Sequence, residues 1–160
     1  MKKTLTNAEI ISLYNTLEAI NSRTDLVPGD VDVFFANSKN LKTLKSSADS
    51  ISEIVQEVIN KHFTDDNSHA VLDDDGNETG NRALNDDVKD EIVKLINSDI
   101  NKIYAKTEDL EIVTIPEESL KKMFSANAEK MTFAEMTIMN EFIEWFLLMK
   151  NNRKLPAYFK

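Results

Sequence analysis

The chain of 160 residues contains no cysteine, only three glycines and only three prolines. Without cysteine, disulfide bonds, thiolate metal sites and a cysteine nucleophile are excluded. The most apolar stretch, FIEWFLLM at 142–149, is interrupted by Glu144 and is much shorter than the roughly 20 residues that span a bilayer. The N-terminal MKKTLTNAEI has no apolar run behind its lysines, unlike a signal peptide. We therefore expect no membrane association and a cytoplasmic location.

The charge of the chain is negative and unevenly distributed. The net charge is −9, which disfavours direct nucleic-acid binding because phosphate neutralisation requires clustered Lys and Arg. From Thr64 to Glu118 there are 16 Asp/Glu against 5 Lys/Arg. This acidic middle could mimic DNA in the groove of a DNA-handling protein, but a solvated acidic face that maintains solubility is the interpretation we favour.

Helix signals dominate the sequence. Thr6 and Glu9 form one capping box, and Thr132 and Glu135 form another. From Val31 to about Phe63 the apolar residues fall close to one helical stripe, and the segment contains no Pro or Gly. This predicts a long helix that packs in a helical hairpin or in a coiled-coil-like seam with a partner. A further helix is expected after a cap at Asn85 or Asp86, with its inner side formed by Val88, Ile92, Leu95, Ile96 and Ile103.

Strand signals are weaker. Val31, Val33 and Phe35 alternate, so a short strand at that point is an alternative to the helix. The segment DLEIVTI at 109–115 is β-branched and short, and Pro116 after it is expected to begin a brief helix. The predicted fold is mainly α, a long helical hairpin or bundle with a small β-hairpin or short strands near 70–80 and 110–115. We expect one helical domain over 1–149, an acidic turn-rich insert at about 64–85, and a basic tail at 150–160 that is disordered or a docking peptide.

The last predicted helix, which begins at the capping box of Thr132 and Glu135, is apolar on nearly all sides. Such a helix is buried in a core or between subunits. In a domain of this size we favour a subunit or partner interface, and we therefore expect a homo-oligomer. The predicted interface residues are Phe133, Ile138, Phe142, Trp145, Phe146, Leu148 and Met149.

The segment VLDDDGNETGNR at 71–82 is the most unusual motif in the chain. With Gly76 at the sixth position of an EF-hand loop, Val71 would be first and Arg82 twelfth, and neither can serve as a calcium ligand there. Asp75-Gly76 instead predicts the tight turn of a hairpin, with weak cation binding by the aspartates as the alternative. The residues predicted to bind a partner are Asp73, Asp74, Asp75, Asp86 and Asp87.

Catalytic and metal-binding signatures are not found in the sequence. It contains no P-loop, G-x-G-x-x-G, H-E-x-x-H or G-x-S-x-G motif. His62 suits the end of the long helix, and His69, beside Asp65 and Asp66, is favoured as a solvated loop residue over a metal ligand. The sequence therefore predicts a protein that is not an enzyme and that uses no metal and no cofactor.

The order of these elements resembles a protein family. The segments VFFANSKNLKTL, DDDGN, LINSDINKI, LEIVTI and MTFAEMTIMNEFIEW resemble a family of small tailed-phage proteins known only as a domain of unknown function. The similarity spans roughly Leu5 to Trp145, whereas the linker NSRTDLVPGD and the extra aspartates depart from the family pattern. The resemblance implies a bacteriophage or prophage origin and transfers no active site.

These observations predict a non-enzymatic phage-encoded interaction protein. We expect it to bind and inhibit a host or defence-system protein in the host cell cytoplasm, through exposed helix faces and the acidic middle. One alternative is an oligomeric sponge for a signalling nucleotide, with Lys150, Arg153 and Lys154 at subunit boundaries contacting phosphate. Another is a virion or assembly component that binds other phage proteins or itself through the last helix.

Overall fold

The computed structural model describes residues 1–142 of the chain. In this range the protein is mainly α, with two small two-stranded antiparallel sheets, which confirms the predicted fold class. The elements are β1 (Lys2–Thr6), α1 (Asn7–Ser22), α2 (Val31–Lys61), β2 (Ser68–Leu72), β3 (Glu78–Leu84), α3 (Lys89–Tyr104), β4 (Thr107–Glu111), α4 (Glu117–Ala126) and α5 (Phe133–Asn140).

The chain forms two compact units. Among the described residues, unit 1 contains residues 1–48 and 107–142, and unit 2 contains residues 49–106. The boundary between the units falls within α2, which is helical without a break for 31 residues. The predicted long helix is thereby confirmed, and the alternative of a strand at its start is wrong.

Unit 1 begins with a strand that the local sequence pattern does not predict. β1 pairs antiparallel with β4, with Lys2 opposite Glu111 and Thr6 opposite Thr107. The predicted strand at 109–115 is therefore shifted to Thr107–Glu111. Its register is set by a partner strand about one hundred residues away, which local pattern cannot reveal.

Both predicted capping boxes are present in unit 1. The Thr6 N–H donates to Glu9 Oε2 (2.7 Å) and the Glu9 N–H donates to Thr6 Oγ1 (3.2 Å), so that α1 starts directly after β1. Thr132 and Glu135 repeat the arrangement at α5, with 2.6 Å from the Thr132 N–H to Glu135 Oε2. Each pair satisfies backbone N–H groups that have no partner within the helix.

The buried face of α2 in unit 1 differs from the predicted stripe. The side chains of Val31, Phe34 and Phe35 are 75%, 66% and 55% exposed. These three residues, which begin the predicted stripe, therefore lie on the solvent side of α2. The buried face is formed by Val33, Ala36, Asn37, Asn40, Leu44, Ser47 and Ala48. Leu44 and Ala48 belong to the predicted stripe, whereas the polar members of this face hide the rest of it from a search for apolar periodicity.

Unit 2 contains the β2–β3 hairpin and α3. The strands pair antiparallel from Ser68 opposite Leu84 to Leu72 opposite Glu78, with a register irregularity between Ala70 and Leu72. The predicted hairpin is confirmed. The predicted cap of α3 is wrong, because the preceding residues 85–88 form a turn and the N-cap is Val88 without a side-chain hydrogen bond.

Two further predictions concern helix faces and membranes. Leu95, predicted on the inner side of α3, is 47% exposed. Among the helices of residues 1–142, none is long and apolar enough to cross a membrane. The predicted continuation of the last helix beyond Phe142, and the predicted tail, lie outside the described residues.

Candidate functional site: the two ends of an acidic hairpin

The segment DDDGN forms the loop of the β2–β3 hairpin. The Asp73 N–H donates to the Asn77 carbonyl oxygen (2.8 Å), and the Gly76 N–H donates to the Asp73 carbonyl oxygen (3.0 Å). Gly76 has φ = 83°, a left-handed conformation that glycine adopts without steric cost. The turn predicted from Asp75-Gly76 is therefore confirmed.

The aspartates of this loop have different roles. Asp73 Oδ1 accepts hydrogen bonds from the N–H groups of Asp75 (3.0 Å) and Asn77 (2.8 Å). These bonds, the one from Asn77 above all, stabilise the carboxylate and lower the pKa of Asp73 below its ordinary value. The side chains of Asp74 and Asp75 are exposed and make no hydrogen bond or ion pair with another described residue. Asp73 therefore maintains the loop, whereas Asp74 and Asp75 are available to a partner.

An apolar side chain lies beside these carboxylates. Leu72 is 57% exposed and stands opposite Glu78 in the strand register. The loop end of the hairpin, defined as Leu72, Asp74, Asp75 and Glu78, thus presents one apolar side chain and three carboxylates.

The opposite end of the hairpin gathers a second acidic group. The Asn85 N–H donates to the Asn67 carbonyl oxygen (2.9 Å), which brings residues 65–67 alongside the turn that precedes α3. Arg82 forms an ion pair with Asp65 (2.9 Å). We call this group the base end of the hairpin, and it contains Asp65, Asp66, Asp86 and Asp87, all of them exposed.

The five aspartates predicted to bind a partner consequently form two groups rather than one surface. Asp73–Asp75 lie at the loop end, and Asp86 and Asp87 lie at the base end. β3 has seven residues between them, and at about 3.3 Å per residue the two ends are about 20 Å apart. This separation could not be predicted from the sequence, because it depends on the length and pairing of the strands. Partner binding by these residues stays a prediction.

The two histidines have ordinary polar partners. His69 Nδ1 lies 2.9 Å from Asn85 Oδ1, and His62 Nε2 lies 3.1 Å from Asp99 Oδ2. The hydrogen bond from Lys102, followed by that from His62, lowers the pKa of Asp99. Within residues 1–142, no group of three or more His, Asp and Glu side chains is placed to hold a metal ion.

The predicted interface of the last helix is described only in its first part. Phe133 is 87% exposed, Ile138 is partly exposed, and Phe142 is buried in unit 1 with 1% of its surface exposed. An accessible interface could therefore use Phe133 but not Phe142 in this conformation. Outside the described residues lie Trp145, Phe146, Leu148 and Met149, as well as Lys150, Arg153 and Lys154.

Comparison with protein-family models, with curated proteins and with solved structures finds no match to this chain.

Proposed function

We propose that this protein is a non-enzymatic interaction protein of bacteriophage origin that binds and inhibits a host or defence-system protein. The contact is made by the loop end of the hairpin, in the cytoplasm of the host cell. The observation that supports this most directly is Leu72, an apolar side chain 57% exposed beside carboxylates. Protein interfaces commonly combine an apolar centre with a polar rim.

The charge of unit 2 indicates the kind of partner. Residues 49–106 contain 14 Asp/Glu and 6 Lys/Arg, a net charge of −8. A field of this sign attracts a basic protein surface and accelerates the encounter with it, whereas it repels nucleic acid. The partner is therefore a protein with a basic binding surface, such as the nucleic-acid groove of a nuclease. The phage origin is supported by the resemblance of the sequence.

The test compares three double charge reversals that change the net charge equally. Asp74→Lys with Asp75→Lys alters the loop end, and Asp86→Lys with Asp87→Lys alters the base end. Glu53→Lys with Glu57→Lys is the matched control, because both residues are exposed on α2 within unit 2. Each tagged variant is used for affinity capture from bacterial host lysate, and the captured proteins are quantified by mass spectrometry.

We expect one host protein to be captured by the wild type and by the Glu53/Glu57 control, and to be lost from the Asp74/Asp75 variant. A Leu72→Ser variant, which leaves the net charge unchanged, is also expected to capture less of this host protein than the wild type does. If the Asp74/Asp75 variant still captures the host protein and the Asp86/Asp87 variant does not, the contact is made by Asp86 and Asp87 instead. Equal losses in all three variants would indicate that only overall charge matters and would contradict a specific contact.

A further inference from the structure

A groove opens on unit 1. It has a volume of about 390 Å³ and is lined by Asn21 of α1 and by Phe34, Leu41 and three lysines of α2. A second hollow of about 210 Å³ shares Asn21 and Phe34 as walls and extends to Asn37. The volume of the larger groove lies in the range of small-molecule sites, roughly 300–1,000 Å³.

Asn37, in the wall of the second hollow, has an unsatisfied polar atom. It is 9% exposed, and its Oδ1 atom is buried without a hydrogen-bond partner among the described residues. Buried side-chain acceptors are paired in the large majority of cases, so an unpaired one requires an explanation. An N–H donor on a bound molecule would provide the missing bond.

Other buried asparagines of unit 1 show that Asn37 is unusual. Asn40, one helical turn further along α2, donates from Nδ2 to the Val113 carbonyl oxygen and accepts from the Val113 N–H, both at 2.8 Å. Asn127 likewise accepts from the Val27 N–H (2.7 Å) and donates to the Val27 carbonyl oxygen (3.0 Å). These amides connect distant backbone segments, whereas the Oδ1 atom of Asn37 has no such structural role.

The groove is also basic, in a protein whose net charge is −9. Lys39, Lys42 and Lys45 follow one another at three-residue spacing along its α2 wall. Within residues 1–142, Lys39 and Lys42 form no ion pair, and the Lys39 ammonium lies 5.7 Å from the centre of the Phe35 ring. Two cations without carboxylate partners in the wall of the groove favour an anionic ligand over a neutral one.

We propose that the groove, together with the hollow that shares Asn21 and Phe34 with it, binds a planar organic anion, and that nucleoside phosphates are the ligand class. The exposed ring of Phe34, 66% accessible, stacks with the base. Lys39 and Lys42 contact the phosphate as point charges. Asn37 Oδ1 accepts a hydrogen bond from an N–H of the base. The site lies in unit 1 and is independent of the protein interaction proposed for unit 2.

The first test measures binding to the whole 160-residue protein by isothermal titration calorimetry. AMP is the probe, and adenosine and inorganic phosphate separate the contributions of ring and charge. We expect AMP to bind, and each half of it to bind at least tenfold more weakly. Lys39→Gln with Lys42→Gln should lower AMP affinity at least tenfold, whereas the matched pair Lys89→Gln with Lys94→Gln, on exposed lysines of unit 2, should not. Absence of binding at millimolar AMP, or an equal loss in the control pair, would overturn the proposal.

The second test uses the difference between Asn37 and Asn40. Asn37→Leu removes an unpaired polar atom, so we expect the melting temperature of the free protein to be unchanged or raised, and the AMP-induced shift to disappear. Asn40→Leu breaks two hydrogen bonds and should lower the melting temperature. If both variants lower it equally, Asn37 is paired with water or protein and the proposal fails. If Asn37→Leu does not fold, the exposed variant Phe34→Leu must lower AMP affinity, and unchanged affinity overturns the proposal.

Discussion

The two units of this protein are stabilised in different ways. All but two of the buried apolar side chains in the described part of the chain belong to unit 1, and the two in unit 2 are Ile51 and Ile103. Unit 2 instead orders its turns with polar side chains, such as Asp73 in the hairpin loop and Asn67, whose Oδ1 accepts from the Thr64 N–H (2.8 Å). Unit 1 is therefore specified by packing, and unit 2 mainly by backbone pairing and local hydrogen bonds.

This difference matters for the two proposed binding surfaces. The groove in unit 1 is lined by residues of α1 and α2, helices whose opposite faces are packed into a core, which keeps a small-molecule site in one geometry. The hairpin ends in unit 2 are surface loops, which tolerate adjustment to a partner protein. A rigid groove and an adaptable acidic loop suit a small ligand and a protein partner respectively.

The largest expected effect concerns the core of unit 1. Leu17 is fully buried in α1, and Leu17→Ala should destabilise the protein by about 2–5 kcal/mol through lost transfer energy and a residual cavity. Leu95→Ala in unit 2 removes a side chain that is 47% exposed and should cost less than about 1 kcal/mol. Urea denaturation followed by far-ultraviolet circular dichroism measures both values. Similar losses would mean that unit 2 depends on apolar packing as strongly as unit 1 does.

A smaller effect separates two glycines that are needed for different reasons. A Cβ at Gly29 in unit 1 would lie 2.6 Å from the Val33 Cβ, so Gly29→Ala forces a shift in a packed region and should cost about 1–3 kcal/mol. A Cβ at Gly76 in unit 2 would meet no atom within 4 Å. Gly76→Ala should therefore lower the stability only through the cost of a positive φ in alanine, about 1 kcal/mol. Thermal unfolding of each variant measures the difference.

Asparagine provides the control for this comparison. It tolerates the left-handed conformation better than alanine, so Gly76→Asn should recover part of the loss in unit 2. Gly29→Asn should cost at least as much as Gly29→Ala, because the obstacle there is space. If asparagine restored stability at Gly29, lack of space would not be the obstacle there. If it restored none at Gly76, positive φ would not explain the loss at that position.

Much of the local structure could be predicted from the sequence. The capping boxes at Thr6 and Thr132 were identified correctly because the interacting residues are three positions apart. The Asp75-Gly76 turn was identified because it depends on one dipeptide with a known conformational preference. Each of these signals is complete within a few residues.

Features that depend on distant segments could not be predicted. β1 is a strand because β4 lies beside it, and the buried face of α2 includes Asn40 because its amide meets the backbone of Val113, 73 residues away. A polar residue at a buried position weakens the apolar pattern, so apolar periodicity predicts that the exposed residues Phe34 and Phe35 are buried. In the candidate site, too, only the feature that depends on a few neighbouring residues could be predicted. The exposure of the hairpin loop was foreseen, but the distance between the loop end and the base end was not.

The smallest expected effect is a pH dependence confined to the hairpin loop of unit 2. The pKa of Asp73 is lowered below its ordinary value of 3.8 by the N–H groups that its carboxylate accepts from. A lowered folded-state pKa means that this stabilisation is fully present above the unfolded value and is lost as the pH falls through the folded one. The amide resonance of Asn77 should therefore titrate at a pH below 3.8 in a two-dimensional NMR series. In Asp73→Asn the side-chain oxygen still accepts the bond but does not ionise, so that titration should disappear. An unchanged titration in this variant would assign the acid response to another carboxylate and remove Asp73 as the residue that maintains the loop.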